Sequence, residues 1–304
     1  MRQIKWICFL LFFPVSNVFA QSTGKTMKAK PVIIFSSDKA INTNTTSTVG
    51  KGKMDFKVTH NFGDIAGKAG GIKNFFGLDN TTDVRIGFEV GLMPNLDAIL
   101  ARSKGAGLQQ REVELGMKYR FLTQTENVST HPLSMALYLN SVIATNAAST
   151  FPNQDNSYKN FGDRITSVVE LIISKKIGKI SLQMNPSLLL RNYSISYDQK
   201  NFFTLGGAIR FPIVSNRLNL LVDYVHPFRQ RAVKDSFSIN ENIHFYDPLG
   251  VGFEIITGGH VFRLNFTNAT EIIENRFIPR TITNWGKGQF RWGFTISRRF
   301  TIWR

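Results

Sequence analysis

Most of the chain of 304 residues consists of segments in which apolar and polar side chains strictly alternate. In residues 82–92, for example, Ile86 and Phe88 alternate with Arg85 and Glu89. Successive side chains of a β-strand point to opposite faces, so such a segment forms a ribbon with one apolar and one charged side. A helix would distribute the same residues all around its axis. The sequence therefore predicts an all-β protein.

The alternating segments recur along the chain, and their connections are sorted by length. We predict about twelve strands, at residues 53–62, 82–92, 96–103, 110–121, 133–144, 163–175, 179–193, 203–212, 217–227, 248–257, 260–268 and 288–299. All the longest connections fall on the same side of the strands: 63–81, 145–162, 228–247 and 269–287. Membrane β-barrels have long external loops, short periplasmic turns and an even number of strands. We therefore predict a closed antiparallel up-and-down transmembrane β-barrel over residues 51–304.

The charged face of the strands is assigned to the interior of this barrel. A sheet in lipid must close on itself because its backbone amides find no water, and its apolar face then meets the acyl chains. A soluble sandwich would instead hide the apolar faces between two sheets, and alternation alone does not exclude it. The predicted lumen-lining residues are Asp55, Lys57, Arg85, Glu89, Glu112, Glu114, Lys118, Arg120, Glu170, Arg191, Arg210, Glu254, Arg263 and Arg291.

The first 50 residues differ from the rest of the chain. Residues 1–20 combine a positive start, an apolar core and small residues before Gln21, which is typical of a secretory signal peptide. Cys8 is the only cysteine and lies inside this peptide, so the sequence predicts neither a disulfide nor a cysteine-based zinc site. Residues 21–50 are polar and lack helical periodicity. We predict that they form an extended periplasmic lead-in to the barrel.

The sequence offers little chemistry for catalysis or for a cofactor, and we predict neither a metal site nor a cofactor. None of the five histidines has the spacing of a metal-binding motif; they are His60, His131, His226, His244 and His260. The formal net charge is +16, but the basic residues are dispersed and the chain is predicted to be exported, which disfavours nucleic acid as a partner. Rim cations could instead meet the phosphates of outer-membrane lipid: Lys68, Lys73, Arg229, Arg231, Lys234 and Arg280.

Motifs near the carboxyl terminus resemble those of a known family. They are Gly259-His260, Phe266-Thr267-Asn268, Glu274, Phe277-Ile278, Gly293 and Ile296-Ser297-Arg298. With them, and with an opening strand and first loop at residues 49–63 and 76–79, the chain resembles an uncharacterised family of outer-membrane β-barrels from Bacteroidota-type bacteria. The resemblance implies a barrel in the outer membrane of a Gram-negative bacterium. It brings no established catalytic residue or cargo.

Three functions remain open at this point. The first is a pore or solute-binding channel for small polar or anionic molecules, because charged rings bias the selectivity of a pore. The second is an outer-membrane hydrolase, with candidate residues at the outer strand ends: His60, Asp64, His226 and Asp247. The third is a structural or partner-docking barrel with a blocked lumen. In each case we expect outer-membrane lipid and the barrel-assembly machinery as partners.

Overall fold

The structure is a computed structural model that describes residues 30–304 except 106, 127 and 216. The predicted signal peptide lies outside the described residues. The strands are β1 (Lys53–Asp64), β2 (Thr81–Met93), β3 (Leu96–Gly105), β4 (Arg111–Leu122), β5 (Ser134–Ala144), β6 (Ile165–Ile177), β7 (Ile180–Arg191), β8 (Asn201–Val214), β9 (Leu218–Pro227), β10 (Leu249–Ile256), β11 (His260–Thr267) and β12 (Arg291–Thr301).

The helices are short and lie in the connections between strands. Two are α-helices, α1 (Arg231–Glu241) and α2 (Glu274–Arg280). Three are single 3₁₀ segments, at Ile72–Gly77, Phe161–Arg164 and Trp285–Lys287. No helix in the described part of the chain is long and apolar enough to cross a bilayer.

The twelve strands form one closed barrel. Each strand pairs antiparallel with its neighbours in the sequence, and β12 returns to pair with β1. This closing ladder runs from Lys53 opposite Thr301 to Asp64 opposite Arg291. Because every strand has a partner on both sides, the sheet has no open edge and its backbone groups are paired without water. The predicted closed antiparallel up-and-down barrel of about twelve strands is confirmed.

The observed strand ends differ from the predicted ones by no more than three residues. The largest difference is at the start of β12, which was predicted at residue 288 and begins at Arg291. Gly288 ends a 3₁₀ turn in the left-handed conformation, with φ of 70°. A side chain there would approach the Cβ of Ala66 to 2.9 Å, so this glycine belongs to the packed loop and not to the strand.

The apolar faces of the strands point outward and the charged faces point inward. Phe88 is 39 % exposed and Leu115 is 51 % exposed, whereas Arg85, Lys118 and Arg210 are buried. In a soluble sandwich this pattern would be reversed, with the apolar side chains packed together. The barrel therefore presents a hydrocarbon-compatible exterior, as a membrane-spanning barrel must.

Loop lengths distinguish the two ends of the barrel. The connections β2–β3, β6–β7, β8–β9 and β10–β11 have two or three residues each and lie at the end where β1 begins and β12 ends. The connections at the opposite end include residues 228–248 and 268–290. Short turns and both barrel termini are periplasmic in outer-membrane barrels, so the long loops lie on the external side.

The amino-terminal segment corrects one prediction. Residues 34–49 do not extend into the periplasm; each of them is buried or half-buried, and Ala40 and Thr45 are completely enclosed by the barrel. The preceding residues pair with the long periplasmic connection β4–β5, where the amide of Val32 donates to the carbonyl of Gln124 at 2.9 Å. The segment enters the lumen because its short polar side chains and backbone amides match the charged inner wall. We call residues 34–49 the plug.

Candidate functional site

The filled lumen of the barrel is the candidate functional site. Of the fourteen predicted lumen-lining residues, thirteen have side chains buried on the inner wall: Asp55, Lys57, Arg85, Glu89, Glu112, Glu114, Lys118, Glu170, Arg191, Arg210, Glu254, Arg263 and Arg291. Arg120 is half-buried at the periplasmic end, where its guanidinium donates to the side-chain oxygen of Asn95 at 2.9 Å. Much of this wall faces the plug.

The plug is a hairpin that enters and leaves through the periplasmic end. The amide of Ala40 donates to the carbonyl of Thr43 at 2.8 Å, and the amide of Thr45 donates to the carbonyl of Asp38 at 2.6 Å. The chain then turns into β1 through Gly50, whose carbonyl would lie only 2.0 Å from a Cβ at Gly91 of the wall. Residue 91 must therefore be a glycine for the plug to pass so close to β2.

The tip of the plug surrounds one wall carboxylate. Three successive backbone amides, those of Ile41, Asn42 and Thr43, donate to Oδ2 of Asp223 at 3.1, 2.5 and 2.8 Å. The side-chain amide of Asn42 donates to the other oxygen, Oδ1, at 3.0 Å. Successive amides that converge in this way form an anion-binding concavity, and hydrogen bonds to a charged acceptor are stronger than neutral ones. Asp223 thus anchors the plug.

A second group of contacts joins the plug to β6 and to the external loop β11–β12. The side-chain amide of Asn44 donates to Glu170 at 2.8 Å and to Glu274 at 3.0 Å. The ammonium of Lys39 pairs with Glu274 at 2.5 Å. The amide of Asn185 also donates to Glu170. One lysine and two side-chain amides therefore compensate two buried carboxylates, as burial of charge requires.

A third group links the plug to the wall nearer the periplasm. Lys57 pairs with Asp38 of the plug at 2.7 Å and with Glu89 at 2.6 Å, and Lys118 pairs with Glu89 at 2.7 Å. Burial by itself would raise the pKa of the Asp38 carboxyl. The attraction of Lys57, and more weakly of Lys118, outweighs burial and holds the pKa of Asp38 well below its usual range. Asp38 is therefore ionised at neutral pH.

The external end of the lumen is closed by a loop. Residues 268–281, which include α2 and which we call the cap, fold inward and are almost all buried. Arg276 of the cap pairs with Asp83 of β2 at 2.7 Å and with Glu112 of β4 at 2.8 Å. The amide of Ile272 donates to Asp83 at 2.8 Å. The cap is thus attached to the wall by charges, much as the plug is.

Loop β9–β10 holds the cap from outside. Arg229 pairs with Asp198 of the loop β7–β8 at 2.8 Å and donates to the carbonyl of Pro279 in the cap at 2.6 Å. Its guanidinium also lies over the ring of Phe245, 3.6 Å from the ring centre. A guanidinium can stack on an aromatic ring and donate hydrogen bonds from its edge at the same time. Arg229 therefore joins the loops β7–β8 and β9–β10 to the cap.

Plug and cap divide the lumen into two vestibules. The periplasmic vestibule has a volume of about 840 Å³, and the external vestibule, beside Arg276 and Arg280, about 320 Å³. Where plug and cap meet, between Thr43 and Phe277, a space of only about 20 Å³ remains. The periplasmic vestibule is lined by more cations than carboxylates; the cations are Lys53, Arg120, Lys176, Arg210, Arg217 and Arg299, and the carboxylate is Asp55.

The structure brings together one of the two histidine–aspartate pairs considered for catalysis. Nδ1 of His226 lies 2.8 Å from Asp247 on the outer face of the barrel, and Tyr224 also donates to Asp247. The ring of His226 packs against Phe228 at 4.7 Å, and no contact with a serine is found among the described residues. His60 instead stacks on Phe294 and does not contact Asp64.

The plug and cap residues that fill the lumen were not identified as functional from the sequence. The plug residues lie in a stretch rich in asparagine and threonine, NTNTTSTVG, which has neither strand nor helix periodicity. The available signal was in the wall: the inward-facing carboxylates Asp223 and Glu170 have no cation directly opposite them on either neighbouring strand. Buried carboxylates need partners, so an internal segment could have been expected there.

Solved structures that are similar to this chain include porins and other outer-membrane proteins of low sequence identity. The NanC porin has 8 % identity and a TM-score of 0.46 over 80 % of this chain and 97 % of its own. An outer-membrane channel from Pseudomonas putida F1 has 9 % identity and a TM-score of 0.46 over 84 % and 98 %. Omp33 of Acinetobacter baumannii has 9 % identity and a TM-score of 0.40 over 83 % and 100 %. No curated protein matches the chain.

The family is shown by the sequence over nearly the whole barrel. The profile of the membrane-bound β-barrel domain family DUF5777 matches residues 35–300, which include all but the first residue of the plug, all but the last residue of the barrel sheet, and the cap. A closed barrel with an apolar exterior and a charged interior belongs in the outer membrane of a Gram-negative bacterium. The chain is a member of this family of membrane-bound β-barrels.

Proposed function

We propose that this protein is an outer-membrane channel for small polar or anionic solutes, and that the plug closes it. The observation that carries the proposal is the division of one charged lumen into two vestibules by a segment that is not part of the wall. The plug is bound to the wall mainly through hydrogen bonds and ion pairs, such as those of Asp223 and Lys57. Water can replace polar contacts of this kind when the plug moves, whereas it would not replace a packed apolar interface.

The size of the barrel agrees with a solute pathway once the plug has moved. Barrels of about 8 strands have interiors just filled by side chains, and barrels of 16–18 strands enclose aqueous channels. Twelve strands lie between these cases. Where plug and cap meet, the lumen therefore has room for a passing solute or for the plug, but not for both.

The proposed preference for anions rests on the excess of cations that line the periplasmic vestibule. None of the ion pairs formed by the described residues involves Lys53, Lys176 or Arg217, which line this vestibule. Rings of cationic side chains attract anions and bias the selectivity of a pore. A Bacteroidota-type origin of the family stays a prediction of the sequence.

Single-channel recording in planar bilayers tests the channel, with the plug locked by a disulfide. The hydroxyls of Thr46 in the plug and Ser174 in β6 are 2.5 Å apart, so Thr46→Cys/Ser174→Cys should cross-link. Ser187 and Thr204 form a similar contact within the wall, and Ser187→Cys/Thr204→Cys is the matched control. We expect the oxidised plug lock to suppress openings, reduction to restore them, and the control to conduct in both states.

A barrel whose lumen stays filled is the second candidate, because plug and cap together leave so little space. It predicts no current from the wild type, from the reduced plug lock, or from Asp223→Asn, although each protein folds. Folding is checked by the change in gel mobility on heating. Such a result would remove the channel and leave a structural or docking role.

The hydrolase is less well supported, since the pair His226–Asp247 is not in contact with a nucleophile among the described residues.

A further inference from the structure

Three cations lie side by side on the lipid-facing surface, at the external ends of β3 and β4. Arg102 and Lys104 occupy alternate positions of β3 and are exposed, as is Arg111 of β4. Lys104 and Arg111 are directly opposite each other in the strand register. Like charges in directly opposite positions destabilise a strand pair, so this arrangement calls for a compensating anion.

No carboxylate among the described residues supplies that anion. The carboxylates that follow Arg111 in β4, Glu112 and Glu114, point into the lumen and pair with Arg276 and Arg85. None of the ion pairs formed by the described residues involves the three cations. An anion from outside the chain can therefore supply the compensating charge.

This cluster is unusual for its position. Of the outward-facing strand residues, only five are lysine or arginine, and the other two, Lys175 and Arg298, lie at the periplasmic end on separate strands. At the other external strand ends the outward-facing residues carry no lysine or arginine; they include aromatic residues such as Phe203 and Trp292. The clustering of cations at one site of one rim is thus a local feature and not a general property of the exterior.

The depth of the cluster matches the headgroups of the outer leaflet. Arg111 is eight residues along β4 from Tyr119, an exposed aromatic residue near the periplasmic end. At about 3.4 Å per residue and a tilt of roughly 40°, these residues differ in depth by about 20 Å, most of the apolar band. Arg102 lies one row deeper, beside Ile86 and Val113, from where its long side chain can extend toward the headgroups.

We infer that Arg102, Lys104 and Arg111 form a binding site for the phosphates of an outer-leaflet glycolipid of the lipid A type. Arginine forms bidentate hydrogen bonds with phosphate, and lysine adds a compact charge between the two arginines. A headgroup that bears two phosphates suits three cations spread over two strands. A single phosphate would leave part of their mutual repulsion uncompensated.

Native mass spectrometry of the detergent-solubilised protein with diphosphorylated lipid A tests the site. The variant Arg102→Gln/Lys104→Gln/Arg111→Gln should bind lipid A roughly 100-fold more weakly than the wild type, because each cation near the surface contributes separately. The control Lys175→Gln/Arg298→Gln removes cations from the same surface at the other end and should bind as the wild type does. Equal loss in both variants, or no loss in the first, would overturn the site. Phosphatidylglycerol that displaces lipid A at equal concentration would overturn the glycolipid as its ligand.

A single substitution keeps the test valid if the triple variant does not fold. Without lipid A, Lys104→Gln relieves the repulsion of Arg111, so its thermal midpoint should equal or exceed that of the wild type. With lipid A present, the same variant should gain less stability than the wild type. A loss of stability in Lys104→Gln that is the same with and without lipid A would show a purely structural role and contradict the proposal.

Discussion

At the scale of single residues, the lumen is a set of buried charges that each have a nearby partner. Asp223 accepts three backbone amides of the plug, and Lys57 joins the plug residue Asp38 to Glu89 of the wall. Buried charges of this kind contribute little net stability when complete but cost much when one partner is removed. Substitutions of one partner should therefore report directly on where the plug lies.

Asp223→Asn should loosen the plug without unfolding the barrel. The amide keeps one oxygen as an acceptor but loses the charge, and its NH₂ group faces donors of Asn42. We expect the free energy of unfolding to fall by about 1–3 kcal/mol, measured by urea titration of the detergent-solubilised protein. The exposed Asp235→Asn on α1 is the control and should change it by less than about 0.5 kcal/mol. Equal effects of the two substitutions would mean that Asp223 has no role as an anchor.

The plug should respond to acid through Asp38. Its pKa is lowered in the folded protein, mainly by Lys57 against the effect of burial, so its contribution to stability is complete above the ordinary value of 3.8. That contribution disappears as the pH falls through the lowered pKa. We expect the protection from proteolysis that Asp38 supplies to the plug, taken as the difference between the wild type and Asp38→Asn, to be unchanged from pH 8 to pH 5 and to shrink only under strongly acidic conditions. Asp38→Asn should be cleaved faster than the wild type at neutral pH, and the two rates should converge in strong acid; equal cleavage of the two proteins at neutral pH would refute the pairing with Lys57.

At the scale of elements, the strands were predictable because each one produces a periodic pattern in its own local sequence. Alternation with a period of two marks the strands, and loop lengths identify the two ends. Plug and cap follow no such rule. The contact of Asn42 with Asp223 spans 181 positions of sequence, and nothing in the local pattern of the plug indicates that partner. The compact form of the plug depends on contacts with the barrel wall, and that wall is complete only when the barrel has closed.

The cap is held by an ion triad whose members are separated widely in sequence. Arg276→Met should leave Asp83 and Glu112 buried without their cation and lower the free energy of unfolding by about 3–5 kcal/mol. Adding Asp83→Asn to Arg276→Met should recover part of this loss, since one unpaired charge is removed. A double-mutant cycle by denaturant unfolding measures the coupling. Strictly additive effects would show that Arg276 and Asp83 do not interact.

At the scale of the whole molecule, the barrel has a lipid-facing exterior and a charged interior. This arrangement explains why the sequence predicts the wall of the barrel but not the segments that fill it. The bilayer forces the sheet to close and turns its apolar faces outward, which the residue pattern records strand by strand. Whether the resulting lumen is open depends on segments outside the strands. The charged interior was therefore predictable, down to residues such as Arg85 and Glu114, whereas its occupation by the chain's own residues 34–49 was not.

Hydrogen–deuterium exchange of the wild-type protein in lipid nanodiscs tests the central claim, that the plug fills the lumen. The amides of residues 41–43 donate to Asp223, and that of Val49 donates to Asp97 at 2.9 Å. Peptides covering residues 34–49 should therefore exchange far more slowly than the exposed loop around residues 66–70, with protection approaching that of the strands. Exchange of this segment as fast as that of the loop would place it in the periplasm and contradict a plugged barrel.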